Sequence, residues 1–428
     1  MIIEEIYKLY TNCIGISTDT RDIKKGFLFF ALKGENFNAN KFAHIAIENG
    51  AEYAIIDEEK YKQNDKYILV DDVLKTLQEL ANFHRKVIGI KIIAITGTNG
   101  KTTTKELTYA VLKEKFKIKA TAGNFNNHIG VPLTILGFNK NLEYGIVEMG
   151  ANHPKEIAEL CNIAEPDMGI ITNIGKAHIE GFGSFEGVIR TKNELYDYLK
   201  KHNKPIFYNS DNEILTELID NYSNIIPFSA SSKTEYNCQV SDVNPFINVT
   251  FFNKTEVNIS TKLVGVYNLE NISFACTIGA FLGLNNDQIR NGLENYTPSN
   301  NRSQLSITEY NKIVVDAYNA NPTSMNGAID NFVEIKSDSK VLILGDMLEL
   351  GTISDDEHKA IIEKVDKLGF NKVFFIGDIF YKFRNNKFTF FKTTDELINT
   401  IKSNKIEDSF ILLKGSRGIK LEKVIEFL

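Results

Sequence analysis

Residues 94–104 read Ala-Ile-Thr-Gly-Thr-Asn-Gly-Lys-Thr-Thr-Thr and follow a β-branched run at Ile92, Ile93 and Ile95. A buried strand that runs into a glycine-rich turn and leaves it as a helix commits the chain to a strand–loop–helix unit on a parallel sheet. Gly97 and Gly100 let the backbone come close to an anion, and the N–H groups and dipole of the following helix attract it. Lys101 adds a point charge, and the Thr102 hydroxyl can ligand Mg²⁺. The segment points to a bound nucleoside triphosphate. One position departs from the usual pattern: Ile95 stands where a small residue is customary. A turn that merely links strand to helix is the plain alternative, and Gly-Lys-Thr in this context argues against it.

At 428 residues the chain is too long for one ordinary core, so two or three domains are expected. Its 43% apolar and 24% charged content is that of a globular protein. The net charge of −6 comes with no basic block, which argues against a nucleic-acid partner and leaves any anion to local cations and backbone amides. No stretch approaches the roughly 20 apolar residues of a spanning helix, and the start, Met-Ile-Ile-Glu-Glu-Ile, carries no basic leader. No membrane insertion and a cytoplasmic location are expected. Cys13, Cys161, Cys238 and Cys276 are scattered without metal-type spacing and read as reduced thiols.

Residues 1–86 hold short mixed elements, with strands expected at 26–32, 54–56 and 67–70 and a helical stretch over 42–51. From 87 the pattern becomes strand–loop–helix, with strands at 91–96, 144–149 and 168–174. Residues 205–255 are polar and β-branched and predict a subsidiary sheet; helices are expected from Asn268 and Asn286. Ser299-Asn300-Asn301 reads as a linker. Beyond it, strands at 312–317, 340–345, 372–377 and 409–413 alternate with helices near 324–335, 355–368, 394–403 and 416–427, the pattern of βαβ units. The expected architecture is α/β in three domains: a small N-terminal α/β domain (1–86), a central parallel-sheet domain with the phosphate loop (87–302) and a C-terminal Rossmann-like, doubly wound domain (303–428).

Several residues sit where chemistry is done. Glu148 ends a buried strand downstream of the phosphate loop, where an acid either binds Mg²⁺ or caps the next turn. His178 lies in a glycine-punctuated segment past a strand and is either a structural histidine or part of a site. Lys192 falls on the apolar stripe of its helix with Val188, Leu195 and Leu199. It either snorkels to water or is a paired, neutralised or modified functional lysine. Asn268 and Asn271 either cap a helix or meet an adenine edge. Asp316 ends a strand where acids bind ribose hydroxyls. Arg302 is within plausible reach of a γ-phosphate across a cleft.

Further segments fall in order along the chain: Asp19-Thr20-Arg21, Gly123-Asn-Phe-Asn-Asn-His-Ile-Gly-Val-Pro132 and Glu148-Met-Gly-Ala-Asn-His-Pro154. Then come Ala177-His-Ile-Glu-Gly-Phe-Gly183, Lys192-Asn-Glu-Leu195, Asp316-Ala-Tyr-Asn-Ala-Asn-Pro322, Gly345-Asp-Met-Leu-Glu-Leu-Gly351 and Lys414-Gly-Ser-Arg-Gly418. With the phosphate loop they resemble the Mur ligase family over the whole chain. The Tyr-Asn-Ala-Asn-Pro and Gly-Asp-Met-Leu-Glu-Leu-Gly signatures resemble the branch that joins D-alanyl-D-alanine to UDP-N-acetylmuramoyl-tripeptide.

The resemblance implies an ATP-dependent amide ligase of peptidoglycan precursor synthesis that works through an acyl phosphate, uses two Mg²⁺ ions and acts as a monomer. It implies that Gly97, Thr98, Asn99, Gly100, Lys101, Thr102 and Thr103 hold the phosphates, and that Asn268, Asn271, Arg302 and Asp316 contact ATP. It implies catalytic roles for Lys101, Glu148, His178 and Lys192. Thr102, Glu148, His178 and a carbamylated Lys192 would serve the metals. Ser17, Thr18, Asp19, Arg21, Lys33, Asn36 and Phe37 would hold the UDP end. Asn126 and Asn127 would line the substrate channel; Tyr318, Asn319, Asn321, Lys414, Ser416 and Arg417 would face the dipeptide.

Three positions depart from the family pattern: Tyr267 in place of His, Ala317 in place of Ser, and Asn38-Ala39-Asn40 in place of Asp-Gly-His. Competing expectations are a ligase that adds one amino acid, folylpolyglutamate synthase included, and a nucleotide-gated binding protein that joins nothing. The first domain and the two signatures argue against the former; intact Lys101, Glu148, His178 and Lys192 argue against the latter.

Overall fold

A computed structural model describes residues 2–231, 234–299 and 301–428. The linker expectation at 299–301 therefore falls partly outside the described residues. Among the described residues three large sheets follow one another along the chain, with a two-stranded ribbon, Lys33–Gly34 and Phe37–Asn38, beside the first. The first is four-stranded and parallel, in the order Gly15–Ser17, Phe27–Phe30, Tyr53–Ile56, Tyr67–Leu69.

The phosphate-loop strand Lys91–Thr96 lies inside a nine-stranded sheet, with Tyr144–Glu148 on one side and Met168–Ile171 on the other. From Lys91–Thr96 the chain first reaches the edge strand Ile118–Ala120, and Tyr144–Glu148 then fills the place between the two. It then returns past Lys91–Thr96 and builds the other way through Met168–Ile171, Ile206–Asn209 and Ile225–Ser229. The glycine loop thus opens at the point where strand order reverses, the place where open α/β sheets leave a crevice for ligands.

The strands of 205–264 correct one expectation. They continue the central sheet instead of forming a subsidiary one. Tyr236–Asp242 pairs in parallel with Ile225–Ser229, and Phe246–Asn253 and Thr255–Val264 follow as antiparallel hairpins. The alternating burial of Thr255–Val264 is that of an antiparallel strand with one wet face. The strand expected to reach 174 ends at Ile171, because residues 172–175 turn over to grip the phosphate loop.

The third sheet runs Gln304–Ile307, Asn311–Asp316, Ser409–Lys414, Lys340–Gly345, Lys372–Ile376, Thr389–Phe391. It is parallel apart from its first strand. Helices Pro322–Glu334 and Ser354–Lys367 cover one face, and Thr394–Ser403 covers the other, so it is doubly wound. The expected last helix, 416–427, is instead two 3₁₀ segments, Arg417–Ile419 and Leu421–Phe427.

Helix Val73–Ile88 was not anticipated. Asp72 caps it by accepting from Lys75 N–H at 2.8 Å, and Gly89 ends it in the left-handed region at φ 64°. Its buried face joins the first sheet to the helices of the central one. Gln78 donates to the His128 carbonyl and to Glu159, and Arg85 reaches Asp167 at 2.8 Å. Among the described residues no helix is long and apolar enough to cross a membrane.

Asp167 fastens this joint. Its carboxylate accepts from Arg85, from Ile92 N–H at 3.0 Å and from Lys204 at 2.9 Å, while only 8% exposed. Asp167→Ala removes the acceptor of the Ile92 N–H and of Lys204 and the counter-charge of Arg85, which keeps only the Ala164 and Glu165 carbonyls. The expected cost is about 3 kcal/mol of stability, read as a lowered Tm and denaturant midpoint.

Candidate functional site

The phosphate loop is held by its neighbours. Thr98 N–H donates to the Asn173 carbonyl at 2.9 Å and Asn99 N–H to the Asn173 side chain at 3.0 Å. Thr172 donates its hydroxyl to the Asn99 carbonyl at 2.6 Å, and Gly175 N–H donates to the Thr98 hydroxyl at 2.9 Å. Gly97 sits at φ 143° against Thr172, and Gly100 at φ 79° against the Asn271 side chain; neither place has room for a Cβ. Lys101 spans its own loop, donating to the Gly97 and Thr98 carbonyls at 2.8 and 3.0 Å. Burial pushes its ammonium down to about 8, with Arg302 adding to the effect and Glu148 opposing it.

Asn268 and Asn271 brace that loop from behind. Asn268, 1% exposed, donates its amide to the Val264 carbonyl at 2.9 Å, and Asn271 donates to Asn268 at 3.0 Å. Thr104 donates its hydroxyl to Asn271 at 2.9 Å. Asn268 makes no side-chain cap on the helix Leu269–Phe281, so the capping alternative is not what the structure uses.

Glu148 is a buried acid, 1% exposed. One carboxylate oxygen accepts from the Thr102 hydroxyl at 3.2 Å and from Asn126 at 2.8 Å. The other has no hydrogen-bond partner; the Lys105 ammonium is 4.0 Å away and donates to the Thr121 carbonyl. A desolvated carboxylate oxygen without a donor, beside a threonine hydroxyl and a phosphate loop, fits a hard divalent cation. Among the described residues no three His, Cys, Asp or Glu side chains converge on a metal position. An ion here would complete its shell from phosphate and water, as Mg²⁺ does.

Lys192 is 2% exposed, which removes the snorkelling alternative. Its ammonium lies 5.5 Å over the Phe182 ring. Burial drives its pKa well below the ordinary lysine value, the Lys101 charge adds to this, and Glu156 and Glu194 oppose it. His178 adopts φ 51° and places Nδ1 2.6 Å from Glu349 of the third domain. Burial lowers its pKa; Glu349 raises it, and Lys101 and Lys192 lower it further.

One cleft of about 830 Å³ lies over the loop. From the central domain its wall includes Thr98 to Thr103, Asn126, Asn127, Glu148, His178, Asn268 and Asn271. Across from them stand Arg302, Asp316, Tyr318, Asn319, Asn321 and Lys414. Asp316 and Lys414 end neighbouring parallel strands in register and pair at 2.6 Å, with Lys414 1% exposed. Arg302 rests its guanidinium 3.7 Å over the Tyr318 ring, and its Nε is buried without a partner.

Other anticipated residues lie elsewhere. Gly97 is under the loop and Lys192 behind the wall. Ser416 accepts from Leu348 N–H at 3.0 Å and is 3% exposed; Arg417 has its guanidinium 5.5 Å from the Tyr318 ring. Ser17, Thr18, Asp19, Arg21, Lys33, Asn36 and Phe37 line no part of the cleft. They gather at the carboxyl ends of the first two strands of the N-terminal sheet. There Asp19 grips Arg21 and Lys33 meets Asp57 at 3.1 Å. Phe37, 58% exposed, stacks on Phe42. Asn40, one of the departures, is 1% exposed and ties this loop to Asp57 and the Ala31 carbonyl. Sequence reasoning missed Asn173 and Glu349; a polar residue just past a parallel strand was the available signal for Asn173.

Gly100→Ala must leave the left-handed region or displace Asn271. It is expected to weaken nucleotide binding about 100-fold, measured by titration with a fluorescent ATP analogue.

Comparison with known proteins agrees with this geometry. The Mur ligase family, catalytic domain matches residues 13–88, the Mur ligase middle domain 95–279, and the Mur ligase, glutamate ligase domain 301–417. The UDP-N-acetylmuramoyl-tripeptide–D-alanyl-D-alanine ligase of Bacillus subtilis is 34% identical over 97% of this chain and 93% of its own. The ligase of the same name from Escherichia coli is 32% identical over 96% and 93%. The crystal structure of the MurF ligase from Thermotoga maritima in complex with ADP superimposes with a TM-score of 0.87 at 26% identity, covering 98% of this chain and 97% of that one. The chain belongs to the Mur ligase family.

Proposed function

We propose that this chain is an ATP-dependent amide ligase that joins D-alanyl-D-alanine to UDP-N-acetylmuramoyl-tripeptide in peptidoglycan precursor synthesis. The observation that carries the reading is the cleft itself. A phosphate loop, a buried carboxylate with an unused oxygen and the strand ends of the third domain share one space. The names of the full-length relatives supply the substrates.

The tripeptide's terminal carboxylate attacks the γ-phosphorus of ATP, ADP leaves, and an acyl phosphate remains. The dipeptide's amine then attacks the acyl carbon, a proton is lost from nitrogen, and phosphate departs from the tetrahedral intermediate. The protein's share is positioning and charge neutralisation. Lys101 swings from the Gly97 and Thr98 carbonyls onto the β- and γ-phosphates, and the loop's N–H groups complete the cradle. Arg302, steadied on Tyr318, offers its free Nε toward the transferred group. Thr102 and Glu148 would hold one Mg²⁺, and His178 with Lys192 would serve a second; such ions would neutralise phosphate charge. Lys192 would take part as a carbamate: its neutral amine adds CO₂ with loss of a proton, turning a buried neutral group into an anion able to serve a metal.

On this reading residues 1–86 hold the UDP end through Ser17, Thr18, Asp19, Arg21, Lys33, Asn36 and Phe37. Residues 87–302 hold ATP, with Asn268, Asn271 and Asp316 framing the nucleoside end. Residues 303–428 bring the dipeptide, with Tyr318, Asn319, Lys414, Ser416 and Arg417 around it. Asn126 and Asn127 line the channel between. The chain acts as a monomer in the cytoplasm, where ATP and nucleotide-linked sugars are available.

Two measurements test this. Coupled phosphate release is expected only when both UDP-N-acetylmuramoyl-tripeptide and D-alanyl-D-alanine are present; release indifferent to the dipeptide overturns the ligase reading. Lys192→Ala is expected to lose turnover and to regain part of it with short carboxylic acids. Wild-type activity in that variant removes Lys192 from the site.

A further inference from the structure

We propose that Asn321 is a positioning residue for the ligase reaction, sensing the phosphate loop through Asn99 and seating the third domain on it. The proposal rests on the function given above and adds a residue pair to it.

Asn99 is at the tip of the loop. Its N–H donates to Asn173, and its carbonyl accepts from the Thr172 hydroxyl at 2.6 Å and from the Asn173 amide at 3.3 Å. With its backbone held on both sides, the Asn99 side chain crosses to the third domain. There it meets Asn321 in a reciprocal amide pair: Asn321 Nδ2 donates to Asn99 Oδ1 at 2.7 Å, and Asn99 Nδ2 donates to Asn321 Oδ1 at 3.4 Å. Asn321 is 6% exposed and is also the N-cap of the helix Pro322–Glu334. Its oxygen accepts from Ser324 N–H at 2.9 Å, and its own N–H donates to the Ser324 hydroxyl at 3.1 Å.

The oxygen is thus divided between the helix start and the loop, and the amide nitrogen is given to the loop. Asn321 joins two rigid elements instead of offering itself to a ligand. The contact beside it is tight: a Cβ at Gly175 would stand 2.9 Å from the Thr323 hydroxyl. Because Asp316 and Tyr318 lie just before Asn321, a shift of this helix start moves the third-domain wall of the cleft against the triphosphate. Amide formation needs the amine and the acyl carbon placed to within a fraction of an ångström, so this docking bears on the rate rather than on the grip of the UDP end.

The test is Asn321→Ser. Serine caps a helix about as well as asparagine but is too short to pair with Asn99. Expected are an unchanged Tm, an unchanged KM for UDP-N-acetylmuramoyl-tripeptide and a kcat lowered about tenfold. Asn99→Ala should lose a similar factor, and the double variant should be no slower than either single one. Asn321→Asp keeps the cap and the shape but loses the amide donor; it should show the same loss and decides the matter if the serine variant melts early. A kcat close to wild type, or losses that multiply in the double variant, overturns the proposal. Wild-type phosphate release that ignores the dipeptide in the same assay overturns the ligase reading instead.

Discussion

The phosphate loop adopts a backbone path that Gly97 and Gly100 can follow and that residues with a Cβ cannot, and its neighbours hold it on that path. Thr172, Asn173 and Asn271 fill the space where side chains would otherwise be and take up its outward polar groups. Each of these contacts continues into a different part of the molecule. Asn271 leads to Asn268 and the turn after Val264. Thr98 and Gly175 lead into the segment that carries His178. Thr102 leads to Glu148 on the adjoining strand. A loop fixed in this way has little ordering cost left when a nucleotide arrives, and that is where preorganised sites gain their affinity.

The charges around the loop point the same way. Lys101, Lys192 and Arg302 are gathered near one another: burial lowers the pKa of Lys101 and of Lys192, the Arg302 charge lowers that of Lys101 further, and the Lys101 charge lowers that of Lys192. Against them stands Glu148, itself buried and half unsatisfied. Such a cluster is under electrostatic tension, and an incoming polyanion relieves it. The chain's overall charge of −6 gives no help in attracting ATP, so these local cations and the helix N-terminus carry that burden. Lys192 is the extreme case. A side chain so thoroughly desolvated, with the Lys101 charge beside it, favours the neutral amine.

Much of this was legible in the sequence because it is local. The strand–glycine–helix segment, the stripe that buries Lys192, and the strand-end positions of Glu148, Asp316 and Lys414 all follow from spacing alone. Contacts between distant segments were not legible. Asp316 and Lys414 were read separately as ribose and dipeptide residues; only the register of the third sheet makes them partners. Asn268 and Asn271 offered two local roles, and the structure uses a third, as a brace for Gly100. The central sheet was underestimated for a similar reason. Antiparallel strands with one wet face carry too few apolar residues to announce that they extend a buried parallel sheet. Helix Val73–Ile88 did have readable signals in Asp72, Gly89 and the spacing of Val73, Leu77, Leu80 and Ala81. Its place between two sheets did not.

The two signatures that distinguish this branch of the family turn out to be contact devices. In Tyr-Asn-Ala-Asn-Pro, Tyr318 supports Arg302, and Asn321 meets the phosphate loop. In Gly-Asp-Met-Leu-Glu-Leu-Gly, Asp346 accepts from Ile379 and Phe380 N–H at 2.8 and 2.9 Å, anchoring the segment to the next helix. His358, fully buried, accepts from Met347 N–H at 3.0 Å through Nε2 and has Nδ1 2.6 Å from the Ser354 carbonyl. That arrangement requires the neutral ring with its proton on Nδ1. Burial, which lowers the pKa of this histidine, favours that form. Between these anchors Glu349, at φ 63°, reaches His178 across the domain boundary. Both signature segments of the third domain therefore touch the second, one at the phosphate loop and the other at His178.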